Sequence, residues 1–265
     1  MPNPTMPLCL PRSAAPWSLL TILLALCLLA PPAWAADKPG SGPAEKDLDP
    51  GIRMSLQAMK GPYFKASPEE YLSAGIGASI VGNHRYAVKL LTWAIESGGL
   101  NMEQLAQAYL NRGMARMKIN QLRPAVEDLT KALESMPDKY DTYFQLGNAL
   151  RAMGAFTEAI IAYNRALELK PGYAPAHYMR GSVWLIKGDN HLAIKDLSEV
   201  IRQQPKMDDA FYLRSQAFEA LGEWDQALAD LRSYHLLHPL DNSVDITITR
   251  LRERMAASKT APPRR

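Results

Sequence analysis

The chain has 265 residues, of which 47% are hydrophobic and 22% charged, with a formal net charge of +3. That length suits one or two globular domains, and so small a basic excess forces no strongly basic face, which argues against a nucleic-acid partner. Both cysteines, Cys9 and Cys27, fall within the first 35 residues. A chain cut after them can form no disulfide, thiolate metal site or cysteine nucleophile.

Residues 1–35 read as a secretory signal peptide, bacterial rather than eukaryotic. Arg12 is the only charged side chain before Asp37, and the apolar run Trp17 to Ala30 follows it. That run is about 14 residues, short of the roughly 20 needed to cross a bilayer. Ala33 and Ala35 stand at the small-residue positions of a signal-peptidase site, which predicts a cut after Ala35 and an exported protein, periplasmic or secreted, without a membrane span. Leu26 before Cys27 is too large for a lipoprotein signal. An uncleaved N-terminal anchor is the other reading, opposed by Pro31-Pro32 and the short run. Residues 36–62, rich in Pro, Gly and charge, read as a linker, with a short helix over Ile52 to Lys60 that Gly61-Pro62 stops.

Residues 63–241 repeat themselves. Gly113, Gly147, Gly181 and Ser215 are spaced 34 apart, and so are Ala125, Ala159, Ala193 and Ala227. Pro137, Pro171, Pro205 and Pro239 keep the same interval, as do the bulky Tyr109, Tyr143, His177 and Phe211. Asn120, Gly154, Gly188 and Gly222 recur where each unit must turn, and both residue types tolerate a left-handed backbone. The predicted unit is a helix, a tight turn, a second helix and a proline-bounded loop, over 106–139, 140–173, 174–207 and 208–241. A divergent unit, 68–101, carries Tyr71, Gly75, Gly82, Ala87, Leu91 and Ala94 at matching offsets, with Gly98-Gly99 in place of the closing proline. Asn101, with Gln104 three residues on, is positioned to cap the next helix.

Three units carry Arg just before the key Gly or Ser (Arg112, Arg180, Arg214) and Asp sixteen residues later (Asp128, Asp196, Asp230). The unit of Gly147 shows Leu146 and Ala162 instead, and the divergent unit Ala74 and Leu90. Charge arrives as a pair or not at all, which predicts ion pairs between the two helices of a unit. Partly exposed, each would add about 0–1 kcal/mol. Beyond Pro239, residues 242–258 predict a capping helix with Ile246, Ile248, Leu251 and Met255 on one face. The tail 259–265 is expected to be disordered.

These positions and the 34-residue period resemble the tetratricopeptide repeat (TPR). The resemblance implies an all-α, right-handed superhelix (an α-solenoid) of about five helix-turn-helix repeats, closed by a C-terminal capping helix and lined inside by the first helices. By that resemblance the inner wall carries Leu72, Ile76 and Ile80, then Leu110, Met114 and Met117, then Phe144, Asn148 and Arg151. Tyr178, Ser182, Leu185 and Ile186 follow, then Tyr212, Gln216 and Glu219. So apolar and aromatic a wall is the kind that marks a partner site. The alternative is that neighbouring units or the N-terminal segment fill it. Asn148 matches one position of the family's carboxylate-gripping set, but Leu72, Leu110, Pro175 and Met179 stand where its other polar or basic members belong. An apolar peptide or another protein's surface suits the wall better.

Nothing points to catalysis, a cofactor or a metal. The glycines of GIGASIVG (Gly75 to Gly82) do not match G-x-G-x-x-G, and no G-x-S-x-G, H-E-x-x-H or phosphate loop is present. His235 and His238 lack the acids that would complete a metal site, and His177 takes a packing position. The expected function is a non-enzymatic adaptor that binds protein or peptide partners. By family resemblance these partners are envelope proteases or cell-wall hydrolases. A self-assembling scaffold, one molecule's outer face docking in another's groove, is the second reading.

Overall fold

A computed structural model describes residues 66–239 and 242–260. The signal peptide, the whole linker with its short helix, and residues 261–265 of the tail lie outside the described residues, while residues 259 and 260 belong to the last helix. Among those described are eleven helices and no strand: α1 (Pro68–Ile80), α2 (His84–Glu96), α3 (Met102–Lys118), α4 (Leu122–Ser135), α5 (Tyr140–Ala152), α6 (Phe156–Leu169), α7 (Ala174–Lys187), α8 (Asn190–Gln203), α9 (Asp208–Leu221), α10 (Trp224–Leu237) and α11 (Asn242–Thr260). The chain falls into two compact units, one ending at Gln104 and the other beginning at Leu105.

The first unit is the α1/α2 hairpin. Ser67 and Glu70 form a reciprocal capping box at its start. Leu91 of α2 is fully buried and packs so closely under Gly75 that an added Cβ would lie 2.6 Å from its Cγ. Asn101 and Gln104 cap α3 reciprocally, as their spacing predicts.

In the second unit, α5/α6, α7/α8 and α9/α10 are antiparallel pairs that stack in chain order, and first helix α5 also touches α7, as α7 touches α9. The α3/α4 pair is held through Arg112 and Asp128. Every turn inside a pair has its expected left-handed residue: Asn120 at φ 62°, and Gly154, Gly188 and Gly222 at 78°, 81° and 76°. The repeated alanines Ala125, Ala159, Ala193 and Ala227 are each 0% exposed. A larger side chain there would push the helices apart.

All three predicted Arg–Asp pairs form, each two-pronged: Arg112, Arg180 and Arg214 donate through Nε and Nη2 to Asp128, Asp196 and Asp230 at 2.6–2.9 Å. The three aspartates are only 1–4% accessible; Arg112 is buried with its partner, whereas the Arg180 and Arg214 side chains keep 19% exposure. Their energetics are therefore those of desolvated pairs, in which losing one partner costs far more than the pair nets. Two of the arginines also reach back to the preceding pair of helices: Arg180 Nη1 donates to Asn164 Oδ1 at 2.6 Å and Arg214 Nη1 to Ser198 Oγ at 2.9 Å. At α3/α4, Arg116 joins Arg112 on the same carboxylate. Charge thus ties hairpins to one another as well as helices within a hairpin.

At the end, α11 lies on α10 and buries Val244, Ile248 and Leu251. Ile246 is 71% exposed, which corrects the expected face. Residues 246 and 248 sit on opposite sides of a helix, whereas 244, 248, 251 and 255 share one, and Met255 does pack against that cluster.

Candidate functional site

Offsets of four and three place Leu110, Met114 and Met117 on one face of α3. The same offsets place Phe144, Asn148 and Arg151 on α5, Tyr178 and Leu185 on α7, and Tyr212 and Gln216 on α9. The common period makes these faces equivalent from one first helix to the next.

Met114 is 36% exposed and Gln216 is exposed; Leu110, Met117, Asn148, Arg151, Tyr178, Leu185 and Tyr212 are half-buried. Phe144 is the exception and a correction: it is 9% exposed and belongs to the core. The Tyr173 ring meets it edge-on at 5.2 Å and the Tyr163 ring lies 6.0 Å away, so no face of Phe144 is left for a partner. Tyr178 and Leu185 pack at the rim of the α7–α9 core, and Tyr212 stands 5.3 Å from Tyr234. In the first unit Leu72 is buried, while Ile80 is 79% exposed.

The middle of this face is polar because of one substitution beneath it. Where α4, α8 and α10 bury Leu129, Leu197 and Leu231, α6 buries Tyr163. The longer side chain passes under Gly147 and its hydroxyl donates to Asn148 Oδ1 at 2.9 Å. Burial pushes that hydroxyl's pKa up to about 12, against the opposing pull of the neighbouring Arg151 guanidinium. Arg151 Nε is buried without a hydrogen-bond partner among the described residues, a condition that costs about 1–3 kcal/mol.

At the C-terminal end of the face lies an open cavity of about 830 Å³, lined by Gln216, Glu219, Ala220, Gly222, Trp224 and Arg254. Arg254 pairs with Glu219 and lies 5.4 Å above the Trp224 ring. Glu219 is thus engaged by the capping helix. Sequence reading missed the cavity because Arg254 lies outside the repeats, 35 residues from Glu219. Among the described residues no group of three or more His, Cys, Asp or Glu gathers as a metal site. No helix among them is long and apolar enough to cross a membrane.

Tetratricopeptide repeat models match residues 106–139, 140–173 and 176–236. The chain belongs to the tetratricopeptide repeat family. Solved TPR structures agree on the fold. A MamA protein is 24% identical with a TM-score of 0.59, the match covering 65% of this chain and 92% of that one. YrrB, described as a TPR protein with an unusual peptide-binding site, is 21% identical with a TM-score of 0.59, over 74% of this chain and 97% of its own. A TPR protein from Parabacteroides merdae ATCC 43184 is 18% identical with a TM-score of 0.63, over 71% and 73%. No curated protein matches the chain. The TPR fold is in general that of a protein–protein interaction scaffold, and the helices here form a TPR solenoid.

Proposed function

We propose that the protein is a non-enzymatic adaptor whose first-helix face, over α3, α5, α7 and α9, holds an extended or helical segment of a partner protein. The observation that carries this is the row of half-exposed Leu, Met and Tyr side chains on the equivalent first-helix faces, Leu110, Met114, Met117, Tyr178, Leu185 and Tyr212. Met and Tyr concentrate at interface centres. The half-buried Asn148 and Arg151 stand in the middle of that row, polar groups set among apolar neighbours. The description of YrrB as having a peptide-binding site supports the same kind of ligand. Together with the signal-like residues 1–35, this reading makes the protein an exported adaptor of a bacterial envelope. Its partners belong to the class of envelope proteases or cell-wall hydrolases.

The test uses Met114→Ala with Tyr178→Ala. Both side chains lie at the surface or the rim of the core, so helical content by circular dichroism should match the native protein. Crosslinked pull-down from an envelope fraction should then lose a partner that the native protein captures. Equal recovery by both proteins ends the proposal. Light scattering that shows oligomers growing with concentration would favour self-assembly instead.

A further inference from the structure

His177 lies in the first turn of α7, at the place that Tyr109, Tyr143 and Phe211 take in the other units. An aromatic hydrocarbon or phenol packs there elsewhere; here the ring is hydrogen-bonded on both edges. Nδ1 lies 2.9 Å from Asp196 Oδ1 on α8, and Nε2 lies 2.9 Å from the Pro171 carbonyl in the loop leaving α6. A carbonyl only accepts, and so does an ionised carboxylate. A neutral imidazole has one N–H and satisfies one of them; only the imidazolium satisfies both.

We propose that His177 is a proton-dependent clasp between the α5/α6 and α7/α8 hairpins, closed by the imidazolium and half-opened when the ring loses a proton. The surrounding charges agree with that assignment. From α8, Asp196 and Glu199 both act on the ring; from α7 itself Arg180 opposes them; the α6–α7 loop presents the Pro171 carbonyl dipole. The Arg180 guanidinium is occupied by Asp196 on one edge and Asn164 of α6 on the other. The His177 side chain is only 14% exposed and Asp196 only 3%, so the pair is shielded yet still open to a titrating proton.

The hydrogen bond to Asp196 raises the imidazole pKa above its ordinary value, more than burial lowers it, and the Pro171 carbonyl adds in the same direction. Burial alone would push the Asp196 carboxyl up, but hydrogen bonds from Arg180 and His177 outweigh it and hold it below the ordinary value. The sign follows: a raised histidine contributes stability that is fully present below about pH 6.5, its unfolded value, and is lost as pH rises through the folded value. This clasp acts whatever the first-helix face binds.

Two measurements on the full chain test it. In a ring-proton NMR titration, the imidazole resonance that is missing from His177→Gln should titrate above the ordinary histidine value of about 6.5. In thermal melts, the stability gap between the native protein and that variant should narrow by roughly 2–5 °C between about pH 6 and about pH 9. The other histidines are common to both proteins and cancel in the difference. His177→Tyr, which installs the residue type found at Tyr109 and Tyr143, replaces the Gln variant if that one folds poorly. A His177 that titrates at or below about 6.5, or a gap unchanged with pH, overturns the proposal.

Discussion

Two neighbouring hairpins solve one packing problem in different ways. In α7/α8 the slot between helices holds Arg180 and Asp196, braced by His177 and by Asn164 from the helix behind. In α5/α6 the equivalent slot holds Leu146 and Ala162, and beside it Tyr163 takes the place of Leu197, with Phe144 against it and Tyr173 against Phe144. Helix spacing is set by filled volume, so a desolvated ion pair and an apolar pair backed by an aromatic cluster serve in equivalent places here. They differ in how they fail. An ion pair depends on both partners being present, whereas an apolar cluster depends on shape.

The largest effect should come from halving the pair. Asp196→Ala leaves Arg180 and His177 facing a void, and we expect a loss of about 3–5 kcal/mol in urea unfolding, nearer the lower figure because the Arg180 side chain is 19% exposed. Arg180→Leu with Asp196→Ala copies the arrangement of Leu146 and Ala162. The double variant should recover at least half of the loss although it removes more atoms. If it is as unstable as the single variant, the two solutions are not interchangeable.

Shape dependence gives the next contrast. A Cβ on Gly147 would sit 2.5 Å from Tyr163 Cε1 and 2.7 Å from Cδ1, whereas one on Gly181 would sit 3.1 Å from Leu197 Cγ. The Tyr163 ring is pinned by Phe144 and by its bond to Asn148; the Leu197 side chain can give by a few tenths of an ångström. Alanine also gains about 1 kcal/mol over glycine in a helix, against overpacking costs of about 1–3 kcal/mol. Gly147→Ala should therefore lower the urea midpoint by the equivalent of about 1–2 kcal/mol, while Gly181→Ala should leave it unchanged or raise it. Equal losses would mean that the aromatic hairpin is no stiffer than its neighbour.

What the sequence made legible divides along the same line. A fixed period identifies equivalent positions, so the turns at Asn120, Gly154, Gly188 and Gly222 and the three Arg–Asp pairs could be read directly. A period does not say how large each neighbour is. Phe144 is equivalent to Leu110, Tyr178 and Tyr212, which stay half-buried, and it is buried only because Tyr173 and Tyr163 close over it. The density of aromatics between Tyr140 and Tyr173 was the available signal. Asn164 and Ser198 carried one too: they stand 34 apart, each sixteen residues before an arginine that they bind.

The smallest effect isolates the one polar atom in the aromatic solution. Tyr163→Phe keeps the ring under Gly147 and removes the hydroxyl that donates to Asn148. Losing one such hydrogen bond should cost about 0.5–1.5 kcal/mol, because Asn148 is half-buried and water can replace part of what it loses. An alkaline absorbance titration provides a second readout. Burial raises the pKa of both Tyr163 and Tyr173 to about 12, so the native state should lose stability as pH climbs from about 10, where unfolded phenols ionise, toward that value. Tyr163→Phe should delete one late-titrating phenol and flatten that alkaline decline. An unchanged titration would show that the Tyr163 hydroxyl meets solvent, and that the polar centre of the first-helix face is not tied to the core beneath it.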